Sequence, residues 1–253
     1  MRDSFPKNRR TRSASRVSFD VSSNGALVGE AAALSKYNNS NWLVWQLVDS
    51  AFPTGGFAHS SGLEAAWQHG EVRGRDELVS FLEAGVHQLG HAALPFVTAA
   101  FDESEKFGEL DRLCDVFTTN HVANRASRAQ GRAFLSAVER VFKSEIRNPK
   151  SEIQFAHFAP MFGACLRRLD VPRATALRMF FFNHLRGVLA AAVRLNIVGP
   201  MEAQMLQQRL APKAEEILRR CEKLSLDDLA QTAPLLELWQ GAQDRLYSRL
   251  FQS

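Results

Sequence analysis

Cysteine is scarce in this chain. Cys114, Cys165 and Cys221 are far apart and odd in number, which excludes a disulfide framework or a cysteine-built zinc site and suits a reducing compartment. Long apolar runs are missing too. The nearest, Met179-Phe180-Phe181-Phe182, is stopped by Asn183-His184, far short of the roughly 18 residues of a membrane span. Surplus charge is absent from most of the chain. The net +4 comes from 31 Lys+Arg against 27 Asp+Glu, but seven of the basic residues (Arg2, Lys7, Arg9, Arg10, Arg12, Arg16, Lys36) and only three acidic ones (Asp3, Asp20, Glu30) lie within residues 1–40. Residues 41–253 are left with 24 of each sign. A polyphosphate binder needs surplus positive charge, so neither nucleic acid nor membrane is an expected partner of this body.

Two catalytic signatures are also missing. No Gly-x-x-x-x-Gly-Lys-Ser/Thr string occurs, so the chain has no P-loop of its own. Gly-x-Ser-x-Gly is absent, and Ser60-Ser61-Gly62 reads better as a helix start. There is no alternating strand pattern and no fixed-period repeat. Residues 1–40 are rich in Arg and Ser and poor in large apolar groups, the composition of a disordered tail. An organelle transit peptide shares part of that composition, although Asp3 and Asp20 count against it.

What is present has helical period. Leu78, Phe81, Leu82, Gly85, Val86 and Leu89 share one face at about 3.6 residues per turn. Leu110, Leu113, Cys114 and Phe117 begin a second stripe. Ala126, Ala133, Phe134, Ala137, Val138 and Val141 make a third, and Phe158, Phe162, Cys165, Leu166 and Leu169 a fourth. Pro172 stands where a helix would begin, and that helix is apolar nearly all round to about Leu195, the mark of a central element. Gly199-Pro200 starts another, with Met201, Met205, Leu210, Ile217, Leu218 and Cys221 expected inward. Ser61-x-x-Glu64 and Ser225-x-x-Asp228 have capping-box spacing. The expectation is an all-α fold: a single helical domain of about eight to ten helices over residues 41–253, preceded by the tail.

Three features carry possible chemistry. His87 and His91 are four apart on a helix, close enough to share a cation. The string is His-Gln-Leu-Gly-His, though, and Gln88 cannot replace the glutamate base of a metalloprotease. These two are the only local metal candidates, and two surface or interface histidines are the simpler reading. Arg125, Arg128 and Arg132 line one side of a helix, with Lys143 beyond. Such a stripe is either a solvated face or a dock for an acidic partner or nucleic acid. The third feature is Phe52-Pro53-Thr54-Gly55-Gly56-Phe57-Ala58-His59-Ser60-Ser61-Gly62-Leu63-Glu64. Pro53 and Gly55-Gly56 break a helix, Ser61 restarts one, and Phe52 and Phe57 bracket the break as aromatic plugs of a helix–loop–helix corner.

That last segment, from Trp42 to Glu64, resembles the UreF family of urease accessory proteins. Leu94-Pro95-Phe96-Val97, His157–Gly163, Leu195–Met201 and Tyr247–Ser253 match the same family in the same order. The resemblance spans residues 41–253 and looks most like the eukaryotic, plant-type branch. It implies an all-α co-chaperone with no catalysis of its own, acting in the cytoplasm. Such a protein forms a homodimer, binds UreD/UreH, recruits the GTPase UreG and assists nickel delivery to apo-urease. No tightly bound cofactor is implied, and Ni2+ is handled transiently by the complex. The partner-binding residues carried over are Phe57 and His59 of the loop and Arg249, Leu250 and Phe251 of the C-terminal segment. Pro53, Gly55, Gly56, Ser61, Gly62 and Glu64 are its structural motif. Phe57 stands where some relatives have Tyr, which removes a phenolic hydroxyl. The amphipathic segment 244–253 is expected to be mobile alone and ordered by a partner. A metal-dependent hydrolase built on His87 and His91, or a nucleic-acid-binding helical protein, would be the alternatives.

Overall fold

Apolar stripes at helical spacing become helices throughout a computed structural model that describes residues 41–142 and 153–253. The expectations for residues 1–40 and for Lys143 lie outside the described residues. Leu43–Ser253 is one compact unit. Residues 41–48 form α1. A short 3-10 turn at Gly56–Ala58 leads to α2 (Leu63–Gln68) and α3 (Arg75–Gln88), and a π-helical turn at Leu89–Ala93 joins α3 to α4 (Leu94–Asp102). Then come α5 (Phe107–Phe117), α6 (His121–Phe142), α7 (Phe158–Arg168), α8 (Arg173–Arg194), α9 (Pro200–Cys221) and α10 (Pro234–Ala242), with a 3-10 turn at Gln243–Arg245. No strand occurs among the described residues. No helix among them is long and apolar enough to cross a membrane.

The core is organised around α7, which packs against α4, α5, α6 and α8 and is buried continuously from Ala159 to Leu166. Phe134, Phe158, Phe162 and Phe180 meet there, with ring centroids 5.4–6.0 Å apart, a spacing that adds aromatic contact energy to burial. The sequence pointed to α8 as central. It is heavily buried, but Phe182 is partly exposed, and α7 takes the inner place.

Two buried details tie this core together. Asp111 on α5 is fully buried and accepts backbone N–H groups from Phe155, Ala156 and His157 at 2.8, 2.9 and 2.8 Å. One carboxylate thus satisfies three donors of the turn that starts α7. The turn presses on α6 at Gly131, where a Cβ would stand 1.9 Å from the Ala156 carbonyl oxygen. Only glycine fits that crossing. Beside it, His157 is buried, with Nδ1 3.1 Å from Ser127 Oγ and Nε2 3.0 Å from Asp115 Oδ1.

Several expectations are corrected. Met201 and Met205 are exposed, because the buried stripe of α9 runs through Ala203, Leu206, Leu210, Ala214 and Ile217, and positions two before and two after Ala203 fall on the opposite side. Leu113 and Val141 lie at stripe edges and are partly exposed. Pro172 is the cap of α8 and not its first helical residue. The capping box at Ser225 forms, with Asp228 accepting from the Ser225 backbone N–H at 2.8 Å. The one at Ser61 does not. Ser61 and Gly62 both have left-handed backbone (φ 56° and 86°), Gly62 caps α2, and the Glu64 side chain turns elsewhere.

Candidate functional site: a loop that docks the C-terminal segment

The loop Phe52–Gly62 and the segment Gln243–Ser253 form one structure. Phe52 is buried and stacks on Phe142 with centroids 6.0 Å apart, so it does plug the corner. Gly55 takes left-handed backbone (φ 73°), and the turn behind it leaves Phe57 72% exposed. Phe57 is therefore displayed rather than used as a plug.

The C-terminal segment is held, which corrects the expectation of a mobile end. Ser253 accepts the Ser60 backbone N–H at 2.5 Å, and Gln252 donates to the Ala58 carbonyl at 2.8 Å. The His59 Nδ1 and Ser253 Oγ atoms are 2.5 Å apart, and burial, with Arg125 nearby, lowers the His59 pKa, which favours its neutral form. Phe251 is buried.

Glu64 supplies the deepest anchor. Its carboxylate is buried and accepts the backbone N–H groups of Leu250 and Phe251 at 2.6 and 3.1 Å, together with the Gln243 side-chain amide at 2.6 Å. It has left the helix-capping role and become the acceptor that an otherwise unpaired terminal strand of backbone requires. Arg194, at the end of α8, lies over the Phe57 ring at 3.9 Å and over the Phe251 ring at 4.1 Å, and donates to the Phe57 carbonyl at 2.6 Å. One guanidinium thus connects the displayed ring to the buried one.

The rest of the segment faces solvent. Tyr247 and Leu250 are exposed, and Arg249 donates to Asp244 at 3.1 Å with its side chain 43% exposed. Asp244 also takes a two-pronged contact from Arg125 at 2.8 and 3.1 Å and lies 3.2 Å from His121. The Arg125 contact, with further help from His121, holds its carboxyl below the usual range. Of the residues singled out from sequence, Phe57, Arg249 and Leu250 are at the surface, whereas His59 and Phe251 are part of the dock itself. Sequence reasoning missed the roles of Arg194, Gln243 and Asp244, because Phe57, Glu64 and Arg125, which define those roles, lie more than a hundred positions away.

His87 and His91 lie side by side. Their rings stack with centroids 6.4 Å apart, and His91 reaches the His87 carbonyl at 3.0 Å. No group of three His, Cys, Asp or Glu side chains positioned for a metal occurs among the described residues. Cys114 is pushed up to about 12 by burial, so it is no nucleophile at neutral pH. A cavity of about 390 Å³ beside the loop is lined in part by Phe57, Asn183, His184, Arg194 and Gln240. Desolvation brings His184 down to about 4, which leaves an uncharged ring there.

The UreF family model matches residues 72–211; the loop and the docked segment lie outside that stretch. The chain is 40% identical over 225 residues to urease accessory protein F of Arabidopsis thaliana, with 84% of this chain and 92% of that one covered. It is 38% identical over 229 residues to urease accessory protein F of Oryza sativa subsp. japonica, covering 87% of each. A UreF-like urease accessory protein of Schizosaccharomyces pombe, uncharacterized, is 30% identical over 224 residues, 82% of this chain and 94% of that one.

Proposed function

Because this chain belongs to the UreF family of urease accessory proteins, we propose that it is a non-enzymatic co-chaperone of urease maturation. In this reading it works in the cytoplasm as a homodimer, links UreD/UreH to the GTPase UreG, and assists transfer of Ni2+, the cargo, into apo-urease. The identity to plant relatives across most of the chain carries this reading. The absence of a P-loop from the sequence agrees with a division of labour in which the partner supplies nucleotide chemistry.

The surface assigned to UreG is the one formed by Phe57 and Arg249. A displayed aromatic and an arginine are the residue types that dominate protein interfaces. The docked segment carries Arg249 and is bonded to Ala58 and Ser60 beside Phe57, an arrangement that lowers the ordering cost of binding.

The reading is tested by activating apo-urease with UreD/UreH, UreG and nickel, with and without this protein. Activation should depend on it, and equal activation without it overturns the assignment. Arg249→Ala should abolish UreG capture and leave dimerisation and UreD/UreH capture intact. The fold should tolerate the change, since an exposed ion pair contributes about 0–1 kcal/mol and Arg125 keeps its hold on Asp244. Size exclusion and pull-down on the purified variant decide this; capture of UreG at wild-type levels removes Arg249 from the interface.

A further inference from the structure

The arginine stripe noted in the sequence is not absorbed by that reading. In the fold Arg125, Arg128 and Arg132 occupy successive turns of α6 and line an open cleft of about 640 Å³, together with His121, Thr118 and Asp115. Two of the arginines are fixed from behind. Arg128 lies over the Phe155 ring at 5.1 Å, and Arg132 donates to the Phe155 carbonyl at 3.3 Å. A guanidinium has five N–H donors in a rigid fork, so each keeps donors to offer after these contacts.

The acidic groups nearby are already engaged. Asp115 accepts from Asn124 and pairs with His157 at 3.0 Å. Asp244 is shared by Arg125, Arg249 and His121. The cleft thus has an excess of oriented cationic donors over free acceptors, and through Asp244 it is continuous with Arg249.

We propose that this cleft is a docking site for an extended acidic segment of the protein partner that engages Phe57 and Arg249, an inference that rests on the function proposed above. The arginines span seven residues of helix, about 10 Å at 1.5 Å per residue. That matches about three residues of extended chain. Carboxylates meet such forks in paired, charge-assisted hydrogen bonds. A nucleic acid would need basic surface well beyond this length, and residues 41–253 carry 24 charges of each sign.

The test uses the full chain and the double variant Arg128→Gln/Arg132→Gln, with retained UreD/UreH capture as the check on folding. The probe is a fluorescent deca-glutamate peptide, titrated at low salt and again with added salt. The wild type should bind it in a salt-sensitive way, and the double variant should bind at least about tenfold more weakly, the loss of two charge-assisted contacts. UreG capture should fall with the same variant. Peptide binding unchanged in the variant overturns the proposal, as does tighter binding of an oligonucleotide of equal charge. If Arg249→Ala loses UreG while the double variant retains it, the cleft is not part of the interface and the function stands. If the double variant loses the peptide while Arg249→Ala keeps UreG, the cleft binds acidic chain and the Arg249 assignment fails.

Discussion

Replacing Asp111 by alanine is expected to destabilise the protein by about 3–5 kcal/mol, the range for stripping a buried network of its charged acceptor. Three backbone N–H groups, of Phe155, Ala156 and His157, point at this one carboxylate from 2.8 to 2.9 Å. Two of them are shut off from water, because Asp111 and His157 are fully buried and Ala156 nearly so, while Phe155 is half-buried. Alanine would leave all three donors unpaired in a site where each costs about 1–3 kcal/mol, reduced by whatever relaxation lets water in. The turn has little room to relax, since Gly131 of α6 sits hard against the Ala156 carbonyl. Asn at the same position keeps one oxygen but turns an amide N–H2 toward a donor, so it should recover only part of the loss. Urea titration followed by circular dichroism measures this, and a loss under about 1 kcal/mol would mean that the turn is not organised by this carboxylate.

Glu64→Ala is expected to have the largest functional effect of any change away from the proposed contact residues. Here too one buried carboxylate gathers several donors, three of them (Gln243, Leu250 and Phe251) from the C-terminal segment and a more distant one from Gln68. The loss should be local. The Glu64 carboxylate makes no hydrogen bond to helices α3 to α9, whereas Phe251 stays buried and Arg194 keeps both rings only while the segment is docked. Hydrogen exchange at Leu250 and Phe251 should accelerate by about a hundredfold or more, the effect of about 2.7 kcal/mol on a local opening equilibrium. Exchange in α4 and α7 should hardly change. Under the proposed function, UreG capture should fall to the level of Arg249→Ala even though both contact residues are still present. Unaltered exchange at Leu250 and Phe251 would show that the dock stands without Glu64.

These two carboxylates mark how much of the molecule was readable in advance. The helices of the body follow from apolar spacing, and boundaries such as Gly199-Pro200 follow from residue types with one local meaning. Met201 and Met205 were grouped inward with Leu210 and Ile217 on apolar character alone, although a period of 3.6 sets them on the other side of α9 from those residues. The central place of α7 was hidden for a different reason. Its burial is made by four other helices, and at 11 residues against the 22 of α8 it offers a shorter apolar stretch to read.

The candidate site divides in the same way. Phe57, Arg249 and the glycines of the loop stood out locally, through composition and resemblance. Glu64 was visible too, but only as a capping residue, because Ser-x-x-Glu spacing is a rule about four consecutive residues. Its partners at 243, 250 and 251 are nearly 190 positions away, and no local rule reaches them. Long separation also hid the role of Arg194, 137 positions from Phe57, and made a docked segment look like a free end.

Sequence alone determined the helical class, the charge neutrality of residues 41–253 and the family resemblance, since each depends on residue identity and short-range spacing. Tertiary structure alone decided that the C-terminal segment folds back onto the loop, that Phe57 is displayed while Phe251 is buried, and that the arginines of α6 line a cleft joined to Arg249 through Asp244. Each of those outcomes rests on a long-range pairing of a buried or partly buried polar group with its acceptor, and such pairings exist only once the helices have brought distant residues together.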